Sequence, residues 1–423
     1  MKINGSITFP GDKSISHRAV IFASLCNGKS VIKNLSNGED VQSTIKCLQK
    51  CGIKIEQHKN IGTIVYGSEL KDPKVKLDCG NSGTTTRLLI GLLAGKGINA
   101  TFVGDNSLSK RPMNRVLVPL KKMGLSYKSN NGKLPVTINK SILSNKSHQL
   151  EISSAQIKSA ILLASFNCEG ITFITEPIKS RDHTEILLKY FGSNIVVKNR
   201  NITFQKTDGR FKSFNIKIPG DPSSASFFGA AVSIVPNSKL HLKSILLNPT
   251  RIGFFNILRE MGVKVNIEKK INILGEEIGD ITIKHYQLNS IRINKSQVPS
   301  IIDEIPILAL IATQARGTTV LSGAEELRFK ECDRIHAICT NLKNMGANIT
   351  EKNDGFVIEG PTKLNGTNIK TYNDHRIAMS FTIANLILED ENKLDNPNCI
   401  LFHYKYSLQN LVFSQFHQFY SNN

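Results

Sequence analysis

Leu48-Gln49-Lys50-Cys51-Gly52 returns four times along the chain. The copies are Leu120-Lys121-Lys122-Met123-Gly124, Leu188-Lys189-Tyr190-Phe191-Gly192, Leu258-Arg259-Glu260-Met261-Gly262 and Leu342-Lys343-Asn344-Met345-Gly346. Each ends an amphipathic segment, and a glycine directly after a helix supplies the left-handed residue that stops it. Extended chain should then restart: Val263, Val265 and Ile267 alternate as in a half-buried strand. One copy would be an ordinary helix end. Five copies with glycines 72, 68, 70 and 84 residues apart predict a repeated α/β unit of about 70 residues.

A longer-range echo sets the grouping. Pro10-Gly11-Asp12-Lys13-Ser14 is matched by Pro219-Gly220-Asp221-Pro222-Ser223, 209 residues later. Each follows a short strand (Ile7-Thr8-Phe9; Ile216-Lys217-Ile218) and opens a helix-like stretch. Since 423 residues exceed one ordinary core, the simplest architecture is six units in two groups of three, with crossovers near these turns. The sixth unit lacks the glycine signature; it is placed after Gly366, with a helix from about His375 to Leu388.

Composition narrows the class. A hydrophobic fraction of 40% and a charged fraction of 21% are those of a soluble globular protein. No run approaches the roughly 18 apolar residues that span a bilayer, so no membrane association is expected. Residues Met1 to Pro10 read as a strand of the fold, with neither a signal peptide nor a transit segment, and a cytoplasmic location is expected. The eight cysteines form no CxxC pair and have no histidines at zinc spacing, so no metal is expected. Cys47 and Cys51 read as small buried thiols on a helix. The net charge of +20 comes from lysines spread along the chain, without aromatics interleaved with arginine. No nucleic-acid partner is inferred; an anionic ligand would be favoured.

Several motifs place cations and hydroxyls at helix starts. Pro10-Gly11-Asp12-Lys13-Ser14-Ile15-Ser16-His17-Arg18 presents N–H groups and hydroxyls to an anion, with Lys13 and Arg18 beside them. An N-capped helix with solvated basic residues explains the same stretch. Asn81-Ser82-Gly83-Thr84-Thr85-Thr86-Arg87-Leu88 is a polar turn entering an apolar helix, and Gly83 would let a ligand approach the backbone. Arg111 precedes Pro112, which disfavours helix there, so its guanidinium could clamp a carboxylate or phosphate. Ser154, Gln156 and Lys158 lie near one helix start, and Ser180 to Glu185 begins another; both read as caps or as holders of a polyol phosphate. Asp303-Glu304 opens the apolar segment Ile305 to Ala312, either as dipole-favoured carboxylates or as a base. In Arg328-Phe329-Lys330-Glu331-Cys332-Asp333-Arg334, Lys330 and Arg334 are expected on one helix face, with Glu331 one step round. Tyr372 to Met379 is a polar turn entering an apolar helix, with His375 and Arg376 at the join.

Taken in order, PGDKSISHR, GNSGTTTRLL, SKRPM, SAQIKS, SRDHTE, PGDPSSASFF, NPTR, KECDR and NDHRIAM resemble the 5-enolpyruvylshikimate-3-phosphate synthase family, from about residue 3 to about residue 388. The resemblance implies a mixed α/β (α+β) fold: a two-domain inside-out α/β barrel, each domain built from three βαβαββ repeats. One domain would hold residues 1–12 and 219–423 and the other 13–218, with substrates in the interdomain cleft. It further implies phosphoenolpyruvate and 3-phosphoshikimate as substrates. Lys13, Ser14, Arg18, Ser154, Gln156, Ser180, Asp303 and Lys330 would bind 3-phosphoshikimate; Lys13, Gly83, Arg111, Gln156, Arg334 and Arg376 would meet phosphoenolpyruvate. Asp303 is expected as base and Glu331 as acid, with Lys13 and His375 assisting proton transfer. Neither a metal nor an organic cofactor is required, and a monomer is expected. By the same resemblance, a phosphoenolpyruvate-like inhibitor such as glyphosate should fit beside Gly83.

The chain departs from the family near its end. Many members carry a lysine before a Thr/Ser-Phe-Pro sequence; here Cys399 to Ser407 contains no Phe-Pro, and Lys405 falls three residues late, so that role is not carried over. The tail Phe413 to Asn423 matches nothing in the pattern. Two rival readings are a UDP-N-acetylglucosamine enolpyruvyl transferase and a non-catalytic basic binding protein. The first is disfavoured by Leu108-Ser109-Lys110-Arg111-Pro112 where a reactive loop cysteine belongs, the second by the retained Lys13, Arg111, Asp303, Glu331, Arg334 and Arg376.

Overall fold

The computed structural model describes residues 2–206 and 211–402; Lys405 and the tail from Phe413 lie outside them. The chain forms two compact units, one from residues 10–218 with 272–276 (the central unit), the other from residues 2–9, 219–271 and 277–402 (the terminal unit).

One sheet plan recurs. In the central unit Leu77–Asp78 lies parallel to Ala100–Val103, which pairs antiparallel with Lys133–Asn139, itself flanked by Ser126–Asn130. The same order holds for Ser147–Gln149, Ile171–Thr175, Asn201–Gln205 and Asn194–Lys198. A third central sheet runs Asn215–Lys217, Cys26–Lys33, Gly62–Gly67, Lys54–His58, with Phe211–Lys212 also against Cys26–Lys33. The terminal unit repeats the order twice, as Asn4–Thr8, Lys239–Leu246, Glu276–Lys284, Lys264–Ile273 and as Arg292–Ile293, Gly317–Leu321, Gly355–Gly360, Asn348–Lys352. Its third sheet, among the described residues, is the parallel pair Asn368–Ile369 and Lys393–Leu394. In each unit one sheet takes its first strand from a sequence-distant segment: Asn4–Thr8 in the terminal unit, Asn215–Lys217 in the central one.

The five signature glycines do what the repeat requires. Gly52, Gly124, Gly192, Gly262 and Gly346 have φ of 92, 114, 78, 101 and 89°. They follow the helices Glu39–Lys50, Asn114–Lys122, His183–Tyr190, Gly253–Glu260 and Arg334–Asn344. These helices are amphipathic: Glu39–Lys50 buries Val41, Thr44, Ile45 and Leu48 on one stripe. The other helix of each repeat is apolar nearly all round and lies inside. Every residue of Pro222–Ile234, Ile305–Ala312 and His375–Ala384 is buried, as are most of Lys13–Leu25, Gly83–Gly95 and Ala155–Ala164. Helices within and sheets outside make each unit an inside-out α/β barrel.

One inner contact positions function. Helices Gly83–Gly95 and Ala155–Ala164 meet backbone to backbone: a Cβ at Gly91 would overlap the Ala160 carbonyl, and one at Gly95 would lie 2.5 Å from that of Ala164. Glycines four apart present one smooth face, and the close crossing brings the two helix N-termini together. Among the described residues, no helix is long and apolar enough to cross a membrane.

Candidate active site

Every motif lies at or just before a helix start, several of them where a strand gives way to a helix. In open α/β structures ligands gather at that edge, where strand C-termini and helix N-termini meet. In the central unit, Asp12 caps Lys13–Leu25 by accepting from Ile15 N at 2.7 Å, and Lys13 Nζ lies 3.0 Å from Asp40 Oδ2. Arg18, one turn on, is buried. Its Nε donates to Thr184 Oγ1 (2.8 Å), one terminal nitrogen to Ser14 O (3.0 Å) and the other to Ser159 Oγ (2.9 Å). Burial pushes its pKa down to about 10, against the pull of Glu185, so it stays cationic near neutrality.

The second cluster surrounds Gly83. Ser82 accepts from Thr85 N at 3.1 Å and starts the helix. A Cβ added to Gly83 would sit 3.2 Å from Arg87 NH1 and 3.7 Å from Arg111 NH1, so two guanidiniums flank bare backbone. Arg87 donates to Gln156 Oε1 and, at 3.3 Å, to Pro112 O, while Gln156 Nε2 donates to Thr84 Oγ1 at 2.9 Å. Arg111 is extended, with ψ of 142°, as its position before proline demands, and donates to Asn81 and Ser107. Gly83, Arg111 and Gln156 are thus brought together, and Arg87 joins them. The motif assigns Arg87 no role, although its place one turn after Gly83 is the signal that it joins this cluster.

Ser154 caps Ala155–Ala164 through Ile157 N (3.5 Å). Ser180 is buried and donates its hydroxyl to Glu176. Lys158, two residues past Gln156, is buried against Glu176 and Glu185.

The terminal unit gathers a second set around Arg334. This guanidinium is buried; Nε donates to Asp374 Oδ2 (2.8 Å) and NH2 to Glu331 Oε2 (2.7 Å), while NH1 lies 3.5 Å from Asp303 Oδ1. Burial works against the charge, but Asp374, Glu331 and Asp303 outweigh it and raise the pKa. Lys330 Nζ is 3.9 Å from the same Asp303 oxygen. Asp303, Lys330, Glu331 and Arg334 therefore converge, though not as expected. Lys330 and Arg334 share no helix face: Lys330 is extended after the 3-10 turn Glu325–Phe329, and Arg334 opens the helix Arg334–Asn344. Asp333 caps that helix through His336 N (3.0 Å), which forces the preceding residues out of helical conformation. Glu304 precedes Ile305–Ala312 without a side-chain cap bond.

Asp374 has two tasks, gripping Arg334 and capping His375–Ala384 through Arg376 N (2.8 Å). His375 and Arg376 are both buried at that helix start. Arg376 NH1 lies 3.5 Å from Ser223 O. Arg251 donates to Ser223 Oγ at 3.0 Å and to Asp221 Oδ1 at 2.9 Å. The sequence motifs contain Asp374 and Arg251 but assign neither a role.

The model of the EPSP synthase (3-phosphoshikimate 1-carboxyvinyltransferase) family matches residues 1–411. A 3-phosphoshikimate 1-carboxyvinyltransferase of Oceanobacillus iheyensis is 45% identical over 406 residues, covering 95% of this chain and 94% of its own. The chain belongs to the EPSP synthase family. A family relative from Sulfurihydrogenibium is 43% identical over 412 residues, 95% of each chain. The solved EPSP synthase of Acinetobacter baumannii superposes with a TM-score of 0.84 at 38% identity, over 95% of this chain and 93% of its own. The enolpyruvyl transferase NikO of Streptomyces tendae shares the fold at a TM-score of 0.77 and 16% identity, over 97% of this chain and 95% of its own.

Proposed function

We propose that this protein transfers the enolpyruvyl (1-carboxyvinyl) group of phosphoenolpyruvate to the 5-hydroxyl of 3-phosphoshikimate, releasing phosphate on the route to chorismate and aromatic amino acids. Family membership sets the reaction class. The observation that carries the reading is the Gly83 turn, where Arg87 and Arg111 flank open backbone at 3.2 and 3.7 Å from a would-be Cβ. Such a turn suits a small phosphorylated carboxylate, because helix N–H groups and paired guanidiniums both favour it.

In this reading Gly83, Arg111 and Gln156, with Lys13, Arg334 and Arg376, serve phosphoenolpyruvate. Lys13, Ser14, Arg18, Ser154, Gln156, Ser180, Asp303 and Lys330 serve 3-phosphoshikimate. The 5-hydroxyl oxygen adds to C2 of phosphoenolpyruvate while C3 takes a proton, giving a tetrahedral ketal. Loss of a C3 proton and departure of phosphate then restore the double bond. Asp303 takes the hydroxyl proton and Glu331 supplies the one for C3. Their closeness to Arg334 keeps both oriented, and Lys13 and His375 assist proton transfer. We place the protein in the cytoplasm as a monomer.

The test is phosphate release from phosphoenolpyruvate by purified protein, with and without 3-phosphoshikimate, the product identified by mass. Release that depends on the acceptor, with an added enolpyruvyl mass, supports the reading. Release only with UDP-N-acetylglucosamine would transfer the chain to the other enolpyruvyl transferases, and no release with either would sink both.

A further inference from the structure

The loop that carries Ser180 runs from the end of strand Ile171–Thr175 to helix His183–Tyr190, and two buried charges fix it. Glu176, 1% exposed, accepts the Ser180 hydroxyl through Oε1 and the Ser180 backbone N–H through Oε2 at 3.4 Å. Lys158, also 1% exposed, donates from Nζ to Glu176 Oε2 at 2.8 Å and to Ser180 O at 3.4 Å, and lies 2.7 Å from Glu185 Oε1. The backbone N–H, the backbone carbonyl and the hydroxyl of Ser180 therefore all end on one ion pair.

Neither charge is exposed enough to touch a ligand. Burying a lysine between two glutamates is a poor way to gain stability, because desolvation opposes the attraction and an apolar set of equal volume holds helix to strand as well. An apolar set would leave the direction of Ser180 undefined. Hydrogen bonds inside a dry site fix a single arrangement, and the bonds of Glu176 and Lys158 here fix that of a serine read above as a phosphate ligand.

We propose that Lys158 and Glu176 are a positioning pair for Ser180, presetting its hydroxyl for the phosphate of the acceptor substrate. This rests on the assignment of Ser180 to 3-phosphoshikimate. The hydroxyl has one proton, held by Glu176; phosphate binding turns that proton about the Cβ–Oγ bond to a phosphate oxygen, and the loop stays where the pair holds it.

A double-mutant cycle on the intact protein tests this, with calorimetric affinity for 3-phosphoshikimate as the main readout and KM for phosphoenolpyruvate as the second. Glu176→Gln and Ser180→Ala should each weaken 3-phosphoshikimate about tenfold and leave the phosphoenolpyruvate KM within about twofold. The double variant should be no weaker than either single one, since the glutamate acts through the serine. Lys158→Arg should keep most of the affinity that Lys158→Met loses. Single effects that multiply in the double variant, or a Glu176→Gln effect equal on both substrates, overturn the proposal. If Glu176→Gln fails to fold, equal affinities in Lys158→Arg and Lys158→Met overturn it instead. Unchanged affinity in Ser180→Ala, with wild-type turnover intact, removes the positioning role and leaves enolpyruvyl transfer standing. Absent wild-type turnover fails the transfer reaction, while the binding cycle still judges the pair.

Discussion

Acid should loosen the central unit most strongly through His17. It lies fully buried in helix Lys13–Leu25, with Nδ1 2.7 Å from Thr44 Oγ1. That hydroxyl lies 2.7 Å from Thr85 Oγ1, which donates to Ser82 Oγ at 2.8 Å, so the histidine anchors a chain of hydroxyls leading to the Gly83 turn. Its Nε2 is buried with no hydrogen-bond partner among the described residues. Burial lowers the pKa from 6.5 to about 3; Asp40 pulls it up, and Lys13 and Arg18 push it further down. The folded protein therefore holds a neutral imidazole that the unfolded chain protonates as pH falls through 6.5. Stability is whole above that value and drains away below it, until the folded form protonates near pH 3. At about pH 5 the deficit is roughly 1.5 pH units at about 1.36 kcal/mol each, or about 2 kcal/mol, a large part of a typical folding free energy.

His17→Asn keeps a polar atom near Thr44 and cannot titrate in this range. Urea unfolding of both proteins at about pH 7.5 and about pH 5, followed by far-UV circular dichroism because the chain has no Trp, isolates the effect. Wild type should lose about 2 kcal/mol more than the variant between the two conditions. His148, whose pKa burial lowers to about 4 with help from Lys122, adds acid sensitivity of the same sign to both proteins and cancels. If the two units unfold in separate steps, the step of the central unit alone should shift. Equal losses in the two proteins would refute the reasoning, because His17 would then be accepting its proton without the cost of a dry site.

Other perturbations follow from the same geometry. Asp303→Ala and Glu331→Ala should each cut kcat by about a hundredfold or more while circular dichroism stays native; a near-normal rate removes that residue from the chemistry. Gly83→Ala pushes a methyl to 3.2 Å from Arg87 NH1, so KM for phosphoenolpyruvate should rise about tenfold and that for 3-phosphoshikimate much less; equal rises would mean a general disturbance. Asp374→Asn leaves the buried Arg334 charge short of its one fully buried partner among Asp374, Glu331 and Asp303 and should cost about 3 kcal/mol in denaturant unfolding, with a loss under about 1 kcal/mol counting against a dry site. Gly192, at φ 78° with nothing within 4 Å of a would-be Cβ, isolates backbone strain: Gly192→Ala should cost about 1 kcal/mol and Gly192→Asn less, and the reverse order would undo the left-handed argument.

The repeat was legible because its signature is local. A residue forced to positive φ at a helix end must nearly always be glycine, so the requirement shows in the sequence five times. What was not legible depended on contacts that leave no local trace. Gly91 and Gly95 read as part of an apolar helix, and only the close crossing against Ala160 and Ala164 gives them a purpose. Lys330 and Arg334 were placed on one helix by spacing, whereas the cap at Asp333 starts the helix at Arg334 and leaves Lys330 extended.

The motif readings that stood as cap or ligand turn out not to be alternatives. Asp12, Ser82, Ser154, Asp221 and Asp374 all cap inner helices, and Lys13, Gly83 and Arg376 stand directly beside three of these caps. A cap satisfies one or two of the N–H groups that a helix end leaves unpaired, and the others remain to receive an anion. The residue that begins the helix can also hold a cation, as Asp374 does by gripping the Arg334 guanidinium while accepting from Arg376 N. A motif at such a position is bound to look structural when read alone. Its function emerges only when the capped starts within one unit are seen together, as those of Ser82 and Ser154 are where Gln156 reaches Thr84 and Arg87.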